Sequence, residues 1–106
     1  MNVPALFKIV SKHEYEASAS QANLRLPPID TGFIHLAMKD QVEKVLAKFW
    51  QNLDDALVLT VDAERLPGRL VKERNPGGTQ EYWHLYDGFI PRAAVVAVKP
   101  AREWIA

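Results

Sequence analysis

From Ala56 onward the chain offers four short runs suited to β-strands with only turns between them, and this succession constrains the fold more than any other feature. Ala56 to Asp62 is apolar on both faces for most of its length. Leu70 to Glu73, Glu81 to Tyr86 and Ala94 to Val98 follow as further strands. Pro67-Gly68 and Asn75-Pro76-Gly77-Gly78 supply turns, because proline presets one backbone angle and glycine tolerates the conformations that other residues avoid. The second turn makes a hairpin in which Glu73 and Tyr82 face each other.

The first half alternates differently. Ala5 to Val10 reads as a strand with Leu6, Lys8 and Val10 on one face and Phe7 and Ile9 on the other. Ser11 opens a helix, and Glu14 three positions later completes a capping-box pattern. That helix has few large apolar residues after Tyr15, so it belongs on the surface. Pro27, Pro28 and Gly32 impose a loop between Leu24 and Gly32. Phe33 to Ala37 is a second strand. Val42, Val45, Leu46, Phe49 and Trp50 then recur at helical spacing as one apolar stripe that must cover a sheet, with Asp40 as its cap and a partner for Lys44. The sum is an α+β domain, two helices on a mostly antiparallel sheet of about six strands. A doubly wound nucleotide fold would alternate throughout and carry a glycine fingerprint, which Gly77-Gly78 is not.

Length and composition narrow the function classes. At 106 residues the chain is one domain, and 48% hydrophobic with 25% charged residues is an ordinary globular composition. No cysteine is present, which removes disulfides and thiolate chemistry. Thirteen basic residues balance thirteen acidic ones. Bulk nucleic-acid or anionic-membrane binding would need a basic excess. Arg65, Arg69, Lys72 and Arg74 form a local basic cluster interrupted by Glu64 and Glu73, either a solvated face or a phosphate contact. The N-terminus lacks a signal-peptide pattern and no apolar run approaches the ~20 residues of a membrane helix, so a soluble, cytoplasmic protein is expected.

The polar residues that bear chemistry are few. His35 lies in the apolar strand Phe33 to Ala37, either as a satisfied core histidine or as a residue looking into a pocket whose mouth holds Asp30 and Thr31. Tyr82, His84 and Tyr86 alternate onto one strand face, a lining for a planar or ribose-bearing ligand or an ordinary aromatic ladder. Glu73 ends the preceding strand and shares the face, which makes His35, Glu73 and His84 the candidate catalytic set for acid-base or electrostatic work. The same groups with Asp30 could ligate zinc or ferrous iron, but none of the spacings that mark such sites occurs, and no metal is expected. No serine follows His35 in the chain, which speaks against a serine triad. His13, in the first turn of the surface helix, has no role assigned.

Phe7-Lys8-Ile9, Asp30-Thr31-Gly32-Phe33-Ile34-His35-Leu36, Gln41-Val42, Leu57-Val58-Leu59, Lys72-Glu73 and His84-Leu85-Tyr86 come in one order along most of the chain. This series resembles the domain of unknown function 952 family, as a single domain over residues 1–106. Two departures stand out. Leu36-Ala37 replaces a Leu-Ser pair, which removes a hydroxyl, and Tyr82-Trp83-His84 replaces Phe-Pro-His. The resemblance implies an ADP-ribosyltransferase-like fold, in which NAD is bound as a substrate in a cleft between two small sheets. It further implies that His35 holds the nicotinamide ribose, that Tyr82 or Tyr86 stacks on the nicotinamide, and that Glu73 stabilises the cationic sugar formed as nicotinamide leaves. Lys8 or Arg74 would meet the diphosphate. The function expected is binding of an NAD-derived or other nucleotide ligand with ADP-ribosyl or 2′-phosphate transfer. The alternatives are a non-catalytic small-metabolite or peptide binding module that kept the fold without the reaction, and a self-association domain with structural histidines.

Overall fold

A computed structural model describes residues 5–18, 20–24, 33–49, 53–74 and 77–105. The described elements are β1 (Leu6–Ser11), α1 (Lys12–Ala17), β2 (Ile34–Leu36), α2 (Val42–Phe49), β3 (Ala56–Val61), β4 (Arg69–Arg74), β5 (Glu81–Tyr86), β6 (Val95–Pro100) and α3 (Ala101–Ile105). The strands form two three-stranded antiparallel sheets, one ordered β1-β3-β6 and the other β2-β5-β4. The α+β layout with a split antiparallel sheet is therefore present. Two helices were expected. The short helix α3 is an addition, five residues long and too brief for its periodicity to be read from sequence.

Alternation explains the layering. Leu6 and Val10 of β1 and Leu57, Leu59 and Val61 of β3 turn to one side, where they meet Ile34, Leu36 and Leu85 from the second sheet. Phe7 and Ile9, with Ala56 and Val58, turn to the other side and are covered by Val42 and Leu46 of α2 and by Trp104 of α3. The order through the molecule is thus α2 and α3, first sheet, core, second sheet, with Tyr15 of α1 packed against the core between the sheets. Strand β3 is apolar on both faces because it is covered on both faces. Each fully buried Leu or Val side chain contributes about 1.5–3 kcal/mol. One face of the second sheet, carrying His35, His84 and Tyr86, looks away from this core.

The sheets are joined at one seam. Phe7 and Ala37 exchange backbone hydrogen bonds of 2.8 and 2.9 Å, and the Lys8 ammonium donates to the carbonyl of His35 at 3.1 Å. Lys8 is only 4% exposed, pointing the same way as Leu6 and Val10. Gln41 makes a second tie. Its Oε1 accepts from the Met38 amide at 3.0 Å and its amide donates to the Glu81 carbonyl at 2.7 Å, so the start of α2 is fastened to β5. Gln41, rather than the expected Asp40, performs the reach-back at this helix entry, because a turn of 3-10 helix over Lys39–Gln41 moves the first helical turn along.

At the start of α1, the Ser11 hydroxyl accepts from the Glu14 amide at 3.0 Å, the first half of the capping pattern. It donates to the Glu14 carboxylate at 3.1 Å, so the carboxylate reaches back to the serine hydroxyl. Turning into β4, Gly68 has φ +111°, and a Cβ there would lie 2.6 Å from the Tyr86 carbonyl. Glycine is required on both counts, and the close approach fixes the start of β4 beside the end of β5. The expected loop at Pro27, Pro28 and Gly32, the stripe residue Trp50, and Asn75-Pro76 lie outside the described residues.

Candidate functional site

Strand β5 lies in the middle of the second sheet. His84 is directly opposite His35 of β2 on one side and Val71 of β4 on the other. Glu73 is opposite Tyr82 and Arg69 is opposite Tyr86. With side chains alternating, Arg69, Glu73, His35, His84 and Tyr86 project from one face, while Leu70, Trp83, Leu85, Ile34 and Leu36 face the core.

On that face a hydrogen-bonded network forms. His84 Nδ1 lies 2.7 Å from Glu73 Oε2, and the Tyr86 hydroxyl donates to the same oxygen. A carboxylate only accepts, so His84 carries its proton on Nδ1 toward Glu73. His84 is 1% exposed, whereas the Glu73 side chain is 36% exposed. The network therefore runs from a buried imidazole to a carboxylate at the surface. The bond from Tyr86, then that from His84, hold the Glu73 carboxyl below its ordinary value, outweighing its partial desolvation. The same bond to Glu73, with burial and the nearby negative charge, raises the Tyr86 phenol above its ordinary value. Glu73 is thus an ionised carboxylate held in one orientation, and Tyr86 stays neutral.

Rings surround this group. Phe33 stacks on His84 with centroids 4.0 Å apart and planes at 26°, and its ring lies 4.7 Å from His35 and 5.3 Å from Tyr86. His35 meets His84 edge-on at 5.5 Å. The Arg69 guanidinium lies over the Tyr86 ring at 5.0 Å. Face and edge contacts of this kind hold rings in fixed orientations.

Of the residues singled out from sequence, His35, Glu73, His84 and Tyr86 come together. Tyr82 shares their face, but its hydroxyl donates to Gln80 at 3.2 Å rather than to Glu73. Arg74 is exposed, opposite Glu81, and alternation sends it to the other face from Glu73. Lys8 is buried at the seam, its ammonium on the backbone of His35. Asp30 and Thr31 lie outside the described residues. Sequence reasoning left Phe33 and Arg69 without a place in the site. Arg69 lies four positions before Glu73 and so on the same strand face, and Phe33 lies two before His35. Among the described residues no group of three or more His, Asp or Glu side chains is placed to hold a metal, and no helix is long and apolar enough to cross a membrane.

A family model described as protein of unknown function (DUF952) matches residues 9–98. The chain belongs to the DUF952 family. No curated protein matches it. The crystal structure of protein CC0527 from Caulobacter crescentus is similar, at 28% sequence identity and a TM-score of 0.77, covering 91% of this chain and 84% of that one. The solution NMR structure of CC0527 is similar too, with a TM-score of 0.75. This DUF952 domain and the Caulobacter protein share one α+β architecture, and neither the family description nor that likeness names an activity.

Proposed function

We propose that the outer face of the β2-β5-β4 sheet binds a small nucleotide-type ligand with a cationic ring, NAD or a derivative of it, and that ADP-ribosyl transfer is the reaction the site is built for. The observation that carries this reading is the Glu73 carboxylate, fixed by Tyr86 and His84 and set among the rings of Phe33, His35 and Tyr86. Both bonds fall on Oε2, which directs the other carboxylate oxygen to a ligand. A fixed anion beside π-faces favours a planar cation such as the pyridinium of NAD. The same anion favours the reaction. As the bond between nicotinamide and ribose breaks, its electron pair goes to the ring nitrogen, nicotinamide leaves neutral, and positive charge moves to the sugar. A carboxylate aimed at that position lowers the barrier without having to reorient. His35 is suited to hold the ribose hydroxyls, and Arg69, beside Tyr86, to meet a phosphate as a charge-assisted donor. Lys8 supports the site from below by holding the His35 backbone.

The binding-module reading draws on a different observation. Glu73 already bonds to two protein groups, an arrangement that serves recognition without any reaction. Calorimetric titration of NAD and of ADP-ribose, with an assay for nicotinamide release, separates the two. The proposal expects saturable binding of NAD that weakens about tenfold or more in both His35→Ala and Glu73→Gln, and nicotinamide release that requires Glu73. Binding without release supports the module. Unchanged affinity in both variants removes the ligand reading altogether.

A further inference from the structure

The helix-bearing side of the first sheet is not covered throughout. Between α3 and the start of α2 lies a cleft of about 840 Å³, within the size range of small-ligand sites. Its floor is apolar. Phe7 of β1 meets Trp104 of α3 edge-on, with ring centroids 5.0 Å apart, and Ala5 and Met38 extend the surface. Its rim is charged, with the two signs on opposite sides. Lys99 comes from β6, at one edge of the sheet, and its ammonium lies 5.7 Å from the centre of the Trp104 ring. Asp40 and Glu43 come from the other side, beyond β1, where Ala37 bridges to Phe7 and the chain turns into α2. Lys39 stands on that side too, and the two carboxylates leave it net negative. Asp40 was expected to cap α2 and to pair with Lys44. Gln41 makes the reach-back instead, and among the described residues no ion pair or side-chain hydrogen bond engages Asp40 or Glu43.

We infer that this cleft binds a short peptide of two or three residues, with both termini free and an apolar side chain at its carboxyl end. The rim sets the charges. A terminal carboxylate meets the Lys99 ammonium, and a terminal ammonium meets Asp40 and Glu43 as charge-assisted hydrogen bonds. A ligand bearing only one sign of charge is attracted to one side and repelled by the other. The width of the cleft sets the length. Two strand spacings, about 10 Å, separate β6 from β1. The ammonium and carboxylate of a single amino acid share one carbon and cannot meet both sides. Two or three extended residues span about 7–11 Å and can. The floor sets the last side chain. Because Lys99 lies over Trp104, a carboxylate held there brings its own side chain onto the rings of Trp104 and Phe7. The core and the second sheet separate this cleft from Glu73, so the inference stands apart from the ligand reading.

Calorimetric titration of the full chain with the tripeptide Ala-Ala-Phe, its N-acetyl form and its C-terminal amide tests this. The free peptide is expected to bind saturably. Each modification removes one terminal charge and should weaken binding about tenfold or more. In the double variant Asp40→Asn with Glu43→Gln, acetylation should cease to matter, and in Lys99→Gln amidation should cease to matter. Both variants alter exposed side chains and should melt as wild type does. During the titration the nuclear magnetic resonance signal of the Trp104 indole should move while those of His84 and Tyr86 stay. Absence of saturable binding, or equal affinity for the three peptides, overturns the inference. An acetylated peptide that binds as well as the free one points to the carboxyl tail of a protein and overturns it too. A titration that moves the signals of β5 rather than that of Trp104 does the same.

Discussion

The central strand of the first sheet, β3, is covered on both faces, while the second sheet is covered on one, and their chemistry divides accordingly. In β3 nearly every side chain is apolar, because helices lie on one side and the other sheet on the other. Strand β5 is also central in its sheet, yet two of its residues, His84 and Tyr86, belong to a polar network on the uncovered face. Burial alone does not separate the two strands, since His84 is as inaccessible as Leu59. What differs is what burial accomplishes. Leu59 removes apolar area from water, whereas His84 spends its position orienting a carboxylate that stays at the surface. A fully buried histidine beneath a partly exposed glutamate adds less to stability than an aliphatic pair would, and this points to a site rather than to a core.

The sharpest way to break this contrast is to truncate the middle of each central strand. Leu59→Ala should cost roughly 2–5 kcal/mol, because the cavity is walled by both the core and its own sheet. Denaturant unfolding gives the value, and a loss well below this range would mean that β3 is not the centre of the core. His84→Ala should cost less, roughly 1–3 kcal/mol, since a hydrogen-bonding partner of Glu73 is lost but the carboxylate can turn to water. If the His84 variant were the less stable of the two, the distinction between the sheets would fail.

Glu73→Gln should disturb stability less again, because the amide still bonds on a partly exposed surface, while ligand binding should suffer most of the three. Acid titration sharpens the point. The folded-state pKa of Glu73 lies below its ordinary value of 4.5, so its contribution is complete above that pH and is lost as the pH falls through the depressed folded value. In Glu73→Gln that part of the acid sensitivity should disappear. Tyr86 behaves in the opposite sense. With a folded pKa above 10.0, its contribution is complete below pH 10.0 and fades as the pH rises through the folded value. Ultraviolet difference titration should place the Tyr86 transition later than that of an unperturbed tyrosine, and Glu73→Gln should bring it earlier. The smallest effect belongs to Arg102→Ala. This side chain pairs with Asp54 on the open surface, and an exposed pair is screened by solvent, so the unfolding midpoint should shift by no more than the error of the measurement.

These contrasts also show what could be read from the chain alone. The opposition of Glu73 and Tyr82 was legible because a short turn fixes the register of a hairpin, and once the register is known alternation assigns the faces. The apolar stripe at Val42, Val45 and Leu46 was legible for a similar reason, since one period dominates it. The stack of Phe33 on His84 and the position of Arg69 over Tyr86 were not. Each depends on pairing between strands that are distant in sequence or on a side-chain path across a strand, which no local pattern carries. The seam formed by Lys8 and the His35 carbonyl was hidden for a related reason. A lysine in a strand reads as a surface charge until the neighbouring sheet is known to close over it.

The most direct test of the central claim compares oxidised with reduced NAD, which differ at the nicotinamide by a positive charge. Calorimetric titration of wild type should favour the oxidised form by about tenfold, and Glu73→Gln should bind the two forms alike. Equal affinities in wild type, or a preference that persists without the carboxylate, would contradict the assignment of Glu73 as the group that faces the cationic ring.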